Sequence, residues 1–386
     1  MEINVYLLYC SVIFIAYFFA IRAKGKTKSI GGVILKEEFH NIYFLASFLV
    51  LSFFCVFTNT GVDYINYYNI IDTITSISDV EYYRNVEPLF TIWSYFGKLL
   101  FNDVHLVIVS MKVVTLVIMF FSFYILRDKI DVFFAVCAYV SIAYLVSFTL
   151  ISIVLASSFV TLAFALLMKK GRVIYVVLLM LIGIGIHFAC IMPLLAIITY
   201  YLMFRYGKGK KHRTTILFVI LFLIIFMLPQ TPTLMNLIIS STESFDHYQK
   251  YVDDLRASSS LGTYAVLFGS YAFIFYLLNK IKKYERDNSL YFLMLVFVLF
   301  GFVFEFIGNR IPVMERVVYS YIAVYCLVIP YCLQKLRTVL NANEARMLNI
   351  IVFMFFVVRF YFVIRARVMP DSPSQLYYYN FFNPFQ

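Results

Sequence analysis

Charge is what this sequence has least of. Of 386 residues, 14% are Asp, Glu, Lys or Arg, against about 25% in an ordinary soluble domain, while 63% are apolar and the mean hydropathy is +0.86. A water-soluble globule is excluded. The apolar stretches are continuous, not alternating, which excludes a β-barrel, and many have the roughly 17–25 residues a helix needs to cross hydrocarbon. There is no Gly-rich phosphate loop and no dinucleotide fingerprint, so soluble nucleotide-linked donors are not expected as substrates. The six cysteines, Cys10, Cys55, Cys137, Cys190, Cys326 and Cys332, all fall within apolar runs. They read as small core hydrophobes, not as a disulfide framework or zinc site. No His, Cys and carboxylate group has metal-ligand spacing, so neither a metal nor a cofactor is expected.

What is present predicts an all-α, polytopic helical membrane protein forming a single integral domain over 1–386. About twelve crossings are expected, at 5–21, 42–57, 106–126, 132–146, 149–168, 173–186, 189–204, 215–228, 264–278, 290–307, a helix ending near 333, and 348–364. The first run has no basic segment before it and no small-residue cleavage site after it, so it is expected to be retained. The connections at 22–41, 127–131, 169–172, 205–213, 279–288 and 334–346 carry 22 of the 32 lysines and arginines but 7 of the 21 acids. That basic excess assigns them to the cytoplasmic side; it orients the chain and does not imply nucleic acid.

Two long loops then fall on the outer side, at 58–101 and 229–262. The first is acidic and rich in Tyr and Asn, and ends in an expected interfacial helix, 89–101, whose Thr91, Ser94 and Lys98 share one face. Asp63 follows Gly61-Val62 and is either a general base for a hydroxyl or a helix N-cap. Tyr64, Tyr67 and Tyr68 either stack on sugar rings or form an aromatic belt. Glu87, before Pro88, is either catalytic or a cap favoured by the helix dipole. His187, at a turn between two short apolar runs, is either a proton carrier or a neutral ring bonded to backbone.

Outer arginines run against the charge trend. Arg310 and Arg316 flank one short turn, and Arg359, Arg365 and Arg367 crowd the end of the last helix. A guanidinium matches phosphate oxygens bidentately, so Arg310 and Arg316 are candidates for gripping a lipid pyrophosphate. Pairing with Glu315 and Glu305 is the alternative, and the later arginines are candidates for lipid headgroups.

The order Gly61-Val62-Asp63-Tyr64, Tyr67 or Tyr68, Glu87-Pro88, Ala156-Ser157-Ser158-Phe159, the basic turn 169–172, Ile186-His187-Phe188-Ala189, and Arg316 with Tyr319 resembles the EpsG-type, Wzy-like polymerases of bacterial surface polysaccharides. The chain departs from that pattern at Phe57 and Asn59, and at Ser152-Ile153, where the family often has arginine and Arg-Gln. The resemblance implies a glycosyltransferase of the bacterial inner membrane that joins undecaprenyl-pyrophosphate-linked repeat units into O-antigen, capsule or exopolysaccharide. It implies Asp63, Glu87 and His187 as catalytic, Arg310 and Arg316 on pyrophosphate, and Tyr64, Tyr67, Tyr68 and Tyr319 on sugar. Membrane lipids, a chain-length regulator and a flippase are the implied partners. A lipid-linked oligosaccharide flippase and another lipid-linked sugar transferase or ligase are the alternative functions.

Overall fold

The computed structural model describes residues 5–23, 29–30, 33–34, 39–57, 62–76, 87–206, 261–285, 288–308 and 312–367. The chain enters through α1 (Val5–Ala23) and α2 (Asn41–Val56), with two-residue strands Ser29–Ile30 and Val33–Ile34 paired between them. Ser47 joins the two helices by donating to the Ala16 carbonyl at 3.0 Å. A short helix, α3 (Val62–Thr73), follows, then α4 (Pro88–Phe101) and α5 (Val104–Ile125). Pro88 opens α4, where its missing N–H costs nothing. Asn102, in the left-handed region, closes it, and Asp103 caps α5 by accepting from Leu106 N–H at 3.0 Å.

The stretch expected as one crossing at 132–146 is divided. After α6 (Val132–Tyr139) the chain makes a π turn over Val140–Tyr144 and a 3₁₀ turn over Val146–Phe148. Tyr144, inside that interruption, donates to the Leu51 carbonyl at 2.8 Å, so packing against α2 compensates for the lost helical order. Then come α7 (Ile151–Met168), α8 (Val173–Ile186), a 3₁₀ turn at Phe188–Cys190 and α9 (Ile191–Tyr206). The second half holds α10 (Leu261–Lys282), α11 (Asn288–Gly308), α12 (Pro312–Ile322), α13 (Tyr325–Arg337) and α14 (Ala342–Arg367). The centre is built from α6, α7 and α13, which are buried almost throughout.

Among the described residues six helices are long and apolar enough to cross a membrane, and four shorter apolar helices accompany them. The sequence expectation was about twelve crossings; the expected crossing at 215–228 and nearly all of the 229–262 loop lie outside the described residues.

Among the described residues the basic connections at 127–131, 169–172, 279–285 and 334–346 meet one another. Lys129 reaches the Met168 carbonyl at 2.8 Å and Lys169 pairs with Asp128 at 2.5 Å. Arg337 pairs with the buried Asp131 and also donates to Asn349. Glu285 takes Tyr331 and, at 3.6 Å, Lys335. The opposite end of α5, where Asp103 sits, is 22 residues away, or about 33 Å.

The helix expected at 89–101 packs along α5. Gly97 lies so close to Val107 that a Cβ would come within 3.0 Å, and Trp93 Nε1–H donates to Ser110 at 3.0 Å. Contacts that step backwards on α4 as they step forwards on α5 define an antiparallel pair, so α4 folds back alongside the first turns of α5. Its polar stripe turns inward: Thr91 and Ser94 are buried and donate to the carbonyls of Glu87 and Phe90, while Phe96, Leu99 and Leu100 face outward. A hydroxyl that bonds to its own helix's carbonyl needs no water, which is why a polar stripe did not mean a wet face.

α7 and α8 form a tight hairpin around Lys170, whose left-handed backbone (φ 58°) lets Gly171 N–H reach the Leu166 carbonyl at 2.8 Å. At Gly183 an added Cβ would stand 3.2 Å from the Ala156 carbonyl oxygen. That oxygen belongs to helix backbone and cannot swing aside, so Gly183→Val is expected to destabilise the pair by about 1–3 kcal/mol. The check is a thermal-unfolding curve of the detergent-solubilised protein, and an unchanged midpoint would refute the close packing.

Candidate functional site

Glu87 and His187, 100 positions apart, meet where the start of α4 touches the end of α8. Glu87 occupies the N-cap position of α4, yet its carboxylate makes no capping hydrogen bond. Instead Oε1 lies 3.5 Å from His187 Nε2. Both side chains are withdrawn from solvent, His187 at 5% and Glu87 at 18% exposure. The His187 ring is fixed from its other side, where Nδ1 accepts the Ala189 N–H at 3.2 Å. With Nδ1 accepting, a neutral ring carries its proton on Nε2 and turns it toward Glu87.

Arg316, near the start of α12, supplies a cation that acts electrostatically on both groups. Glu87 and His187 lie in connections, in none of the helices apolar enough to cross a membrane. Burial raises the Glu87 carboxyl to about 8, with Arg316 pulling in the opposite direction. Burial depresses His187 to about 3 and Arg316 adds to that effect, so the imidazole is neutral at physiological pH. The cluster therefore comprises a carboxyl that titrates near neutrality, a neutral imidazole donor facing it, and a guanidinium. Such a carboxyl can take a proton from a hydroxyl, and such a cation can meet an anionic leaving group.

α3 is fastened beside this cluster by its tyrosines. Tyr67 packs its ring on Phe90, one turn after Glu87, with centroids 5.4 Å apart, and its hydroxyl lies 2.8 Å from Ser152 Oγ. Tyr64 is buried, and its hydroxyl lies 2.6 Å from His105 Nδ1. Tyr68 is exposed on the same helix. Tyr319 is half-buried, three residues after Arg316 and so on the same side of α12. Asp63 lies in the first turn of α3, with its side chain outside the described part, and Arg310 lies outside the described residues.

Two features escaped sequence reasoning. Lys112 is buried in α5, its Nζ 5.5 Å from the Tyr64 ring centroid and 5.3 Å from that of Phe148. His105, two turns before it on α5, meets the hydroxyl of the same Tyr64. The signal was available, because an ionisable residue within a spanning apolar run is costly and calls for a role. The second is Glu305, whose expected partner was Arg310. The structure pairs it with Arg359 at 3.7 Å and with the Tyr271 hydroxyl at 2.8 Å, which in turn accepts from Tyr325 at 3.1 Å. Gly301 makes room for Tyr325, since a Cβ there would overlap its hydroxyl. Arg359 is thus engaged within the helix bundle. Among the described residues no three His, Cys, Asp or Glu side chains gather where they could hold a metal.

No curated protein matches this chain, and no solved structure does. A family model does match, over residues 41–381, a span that includes Glu87, His187, Arg316 and every element packed around them. On that match over nearly the whole chain, this membrane protein belongs to the EpsG family, a family of Wzy-like polysaccharide polymerases.

Proposed function

We propose that the chain polymerises repeat units carried on a polyprenyl pyrophosphate, in the bacterial inner membrane, on the side opposite the basic connections. The reading is supported by the meeting of Glu87 and His187, both withdrawn from solvent, under the electrostatic influence of Arg316, in an EpsG family member. In the proposed step a sugar hydroxyl of the incoming unit attacks the anomeric carbon of the growing chain. The anomeric C–O bond to pyrophosphate breaks, and the lipid pyrophosphate leaves with the electron pair. The hydroxyl proton passes to Glu87. His187 holds the carboxylate through Nε2–H, and Arg316 meets the charge that develops on the departing phosphate.

The remaining candidates fit around this step. Arg310 and Tyr319 extend the Arg316 turn as further phosphate and sugar contacts, and Asp63 is a second carboxylate at the head of α3. Tyr68, exposed on α3, is the tyrosine this reading assigns to a sugar ring, whereas Tyr64 and Tyr67 spend their hydroxyls anchoring the helix. No ATP or nucleotide is needed, because the pyrophosphate bond to the anomeric carbon supplies the driving force. The cation-rich end of the bundle faces the cytoplasm in this reading.

The test is deletion of the gene followed by gel analysis of surface glycans. Loss of long chains with single capped units remaining is the expected result. Accumulation of lipid-linked units on the cytoplasmic side would instead indicate a flippase.

A further inference from the structure

A recess of about 330 Å³ lies away from the candidate site, where the basic turn after α7 meets the end of α9 and the start of α11. Its polar lining is Lys170, Tyr200, Tyr201 and Ser289. The described residues around it therefore offer one cation, three hydroxyls and no carboxylate. Acids of the neighbouring connections are engaged by other cations: Asp128 by Lys169, Asp131 by Arg337 and Glu285 by Lys335. The backbone singles out the lysine as well. Lys170 stands at φ 58°, a left-handed position that glycine fills at lower cost. Glycine is used one residue later, where an added Cβ would stand 3.2 Å from the Leu166 carbonyl oxygen. The turn itself has no need of a lysine, whereas the recess gains a cation from it. α11 begins at the same wall, through Ser289 and Leu290, with no acidic residue in its first turn, so the positive end of its dipole adds to the attraction for an anion.

We infer that this recess binds a phosphate group, carried on the head of an anionic phospholipid or free in solution. Both sources present a compact oxyanion that can accept from one ammonium and several hydroxyls at once. A recess of this size holds a small molecule or a lipid head. The surroundings suit the lipid: Ile174, Val177 and Leu181 on α8 and Leu195, Ile198 and Leu202 on α9 are exposed, and acyl chains can lie along them. The orientation proposed above puts the recess on the cytoplasmic side, where basic pockets between helices take anionic headgroups. The site is separate from the proposed chemistry, because none of Glu87, His187 and Arg316 lines it.

The test uses the full chain purified in dodecyl maltoside and follows its thermal-unfolding midpoint as ligand is added, since a ligand of the folded state raises it. Three probes are titrated at constant ionic strength: a short-chain phosphatidylglycerol, the phosphatidylcholine of the same chain length, and inorganic phosphate. Phosphatidylglycerol is expected to bind the wild type about fivefold more tightly than Lys170→Gly, the factor one lysine contributes toward an anionic lipid. Glycine suits the left-handed position, so the turn is kept while the charge goes, and Lys170→Arg should restore the affinity. Arg127→Gln, which removes a cation stacked on Tyr124 in the neighbouring connection, should leave it unchanged. Phosphatidylcholine should show no dependence on Lys170. A Lys170-dependent shift with inorganic phosphate that phosphatidylglycerol does not exceed would support the site and identify free phosphate as its ligand. Equal affinity of wild type and Lys170→Gly for both anions would overturn the assignment, as would an equal loss in Arg127→Gln, which would mark diffuse charge. The readout involves no glycan transfer, so its failure leaves the polymerase reading standing, and the deletion experiment does not bear on it.

Discussion

Replacing Glu87 by glutamine is expected to lower polymer formation by about 10²–10⁴-fold, the range a positioned general base contributes, with unchanged amounts of protein in the membrane. Glutamine keeps the size and polarity of the side chain and can still accept from His187, so packing at the start of α4 should survive. The pH dependence makes the test specific. A carboxyl raised to about 8 acts as base only once it has lost its proton, so the rate should climb as pH rises through about 8. Stability should move the other way. The fold raises the carboxyl from 4.5 to about 8, so between those values the folded state binds more protons than the unfolded chain, and stability falls as pH rises. It is complete below about 4.5 and lost through about 8, and Glu87→Gln should flatten that slope. A glutamine variant with wild-type polymer output would remove Glu87 from the chemistry whatever its titration.

Arg316→Ala should cost about 10²–10³-fold, comparable to removing one donor from an oxyanion site. It should also leave a signature that mere misfolding would not. The Arg316 charge lowers the Glu87 carboxyl and depresses His187. Its removal must therefore shift the rising limb of the pH–rate profile to higher pH. Arg316→Lys separates the two roles. Lysine retains the charge, so the profile should stay in place. It lacks the planar fork that binds two phosphate oxygens together, so the rate should fall between wild type and alanine. If Arg316→Ala gives normal polymer from normal membrane levels, the guanidinium has no part in departure of the pyrophosphate.

Glu87 shows how a residue legible in the sequence finds its contacts only in three dimensions. Glu-Pro at a helix start reads as a cap, and α4 does begin there. Whether the carboxylate bends back onto its own helix or reaches outward depends on what stands across from it, and His187 stands there. Thr91 and Ser94 make the converse case. Their spacing correctly placed them on one helical face, but a face has no direction until a neighbour packs against it, and the neighbour was α5. Lys112 was visible as a lone cation in an apolar run, while the aromatic rings of Tyr64 and Phe148 that receive it come from segments far apart in the chain.

Composition alone determined that this chain lives in a membrane as helices, because a bilayer leaves no other way to satisfy the backbone of long apolar runs. The order of its short motifs pointed to the family, and the match over residues 41–381 shows it. Tertiary structure alone decided that Glu87 faces His187 with the Arg316 charge acting on both, that Glu305 pairs with Arg359, and that α4 folds back along α5. The physical reason is the same in each case. Periodicity and charge report on a helix and its solvent, whereas partners 10 to more than 200 positions apart are chosen by how helices pack, and that choice leaves no local trace in the sequence.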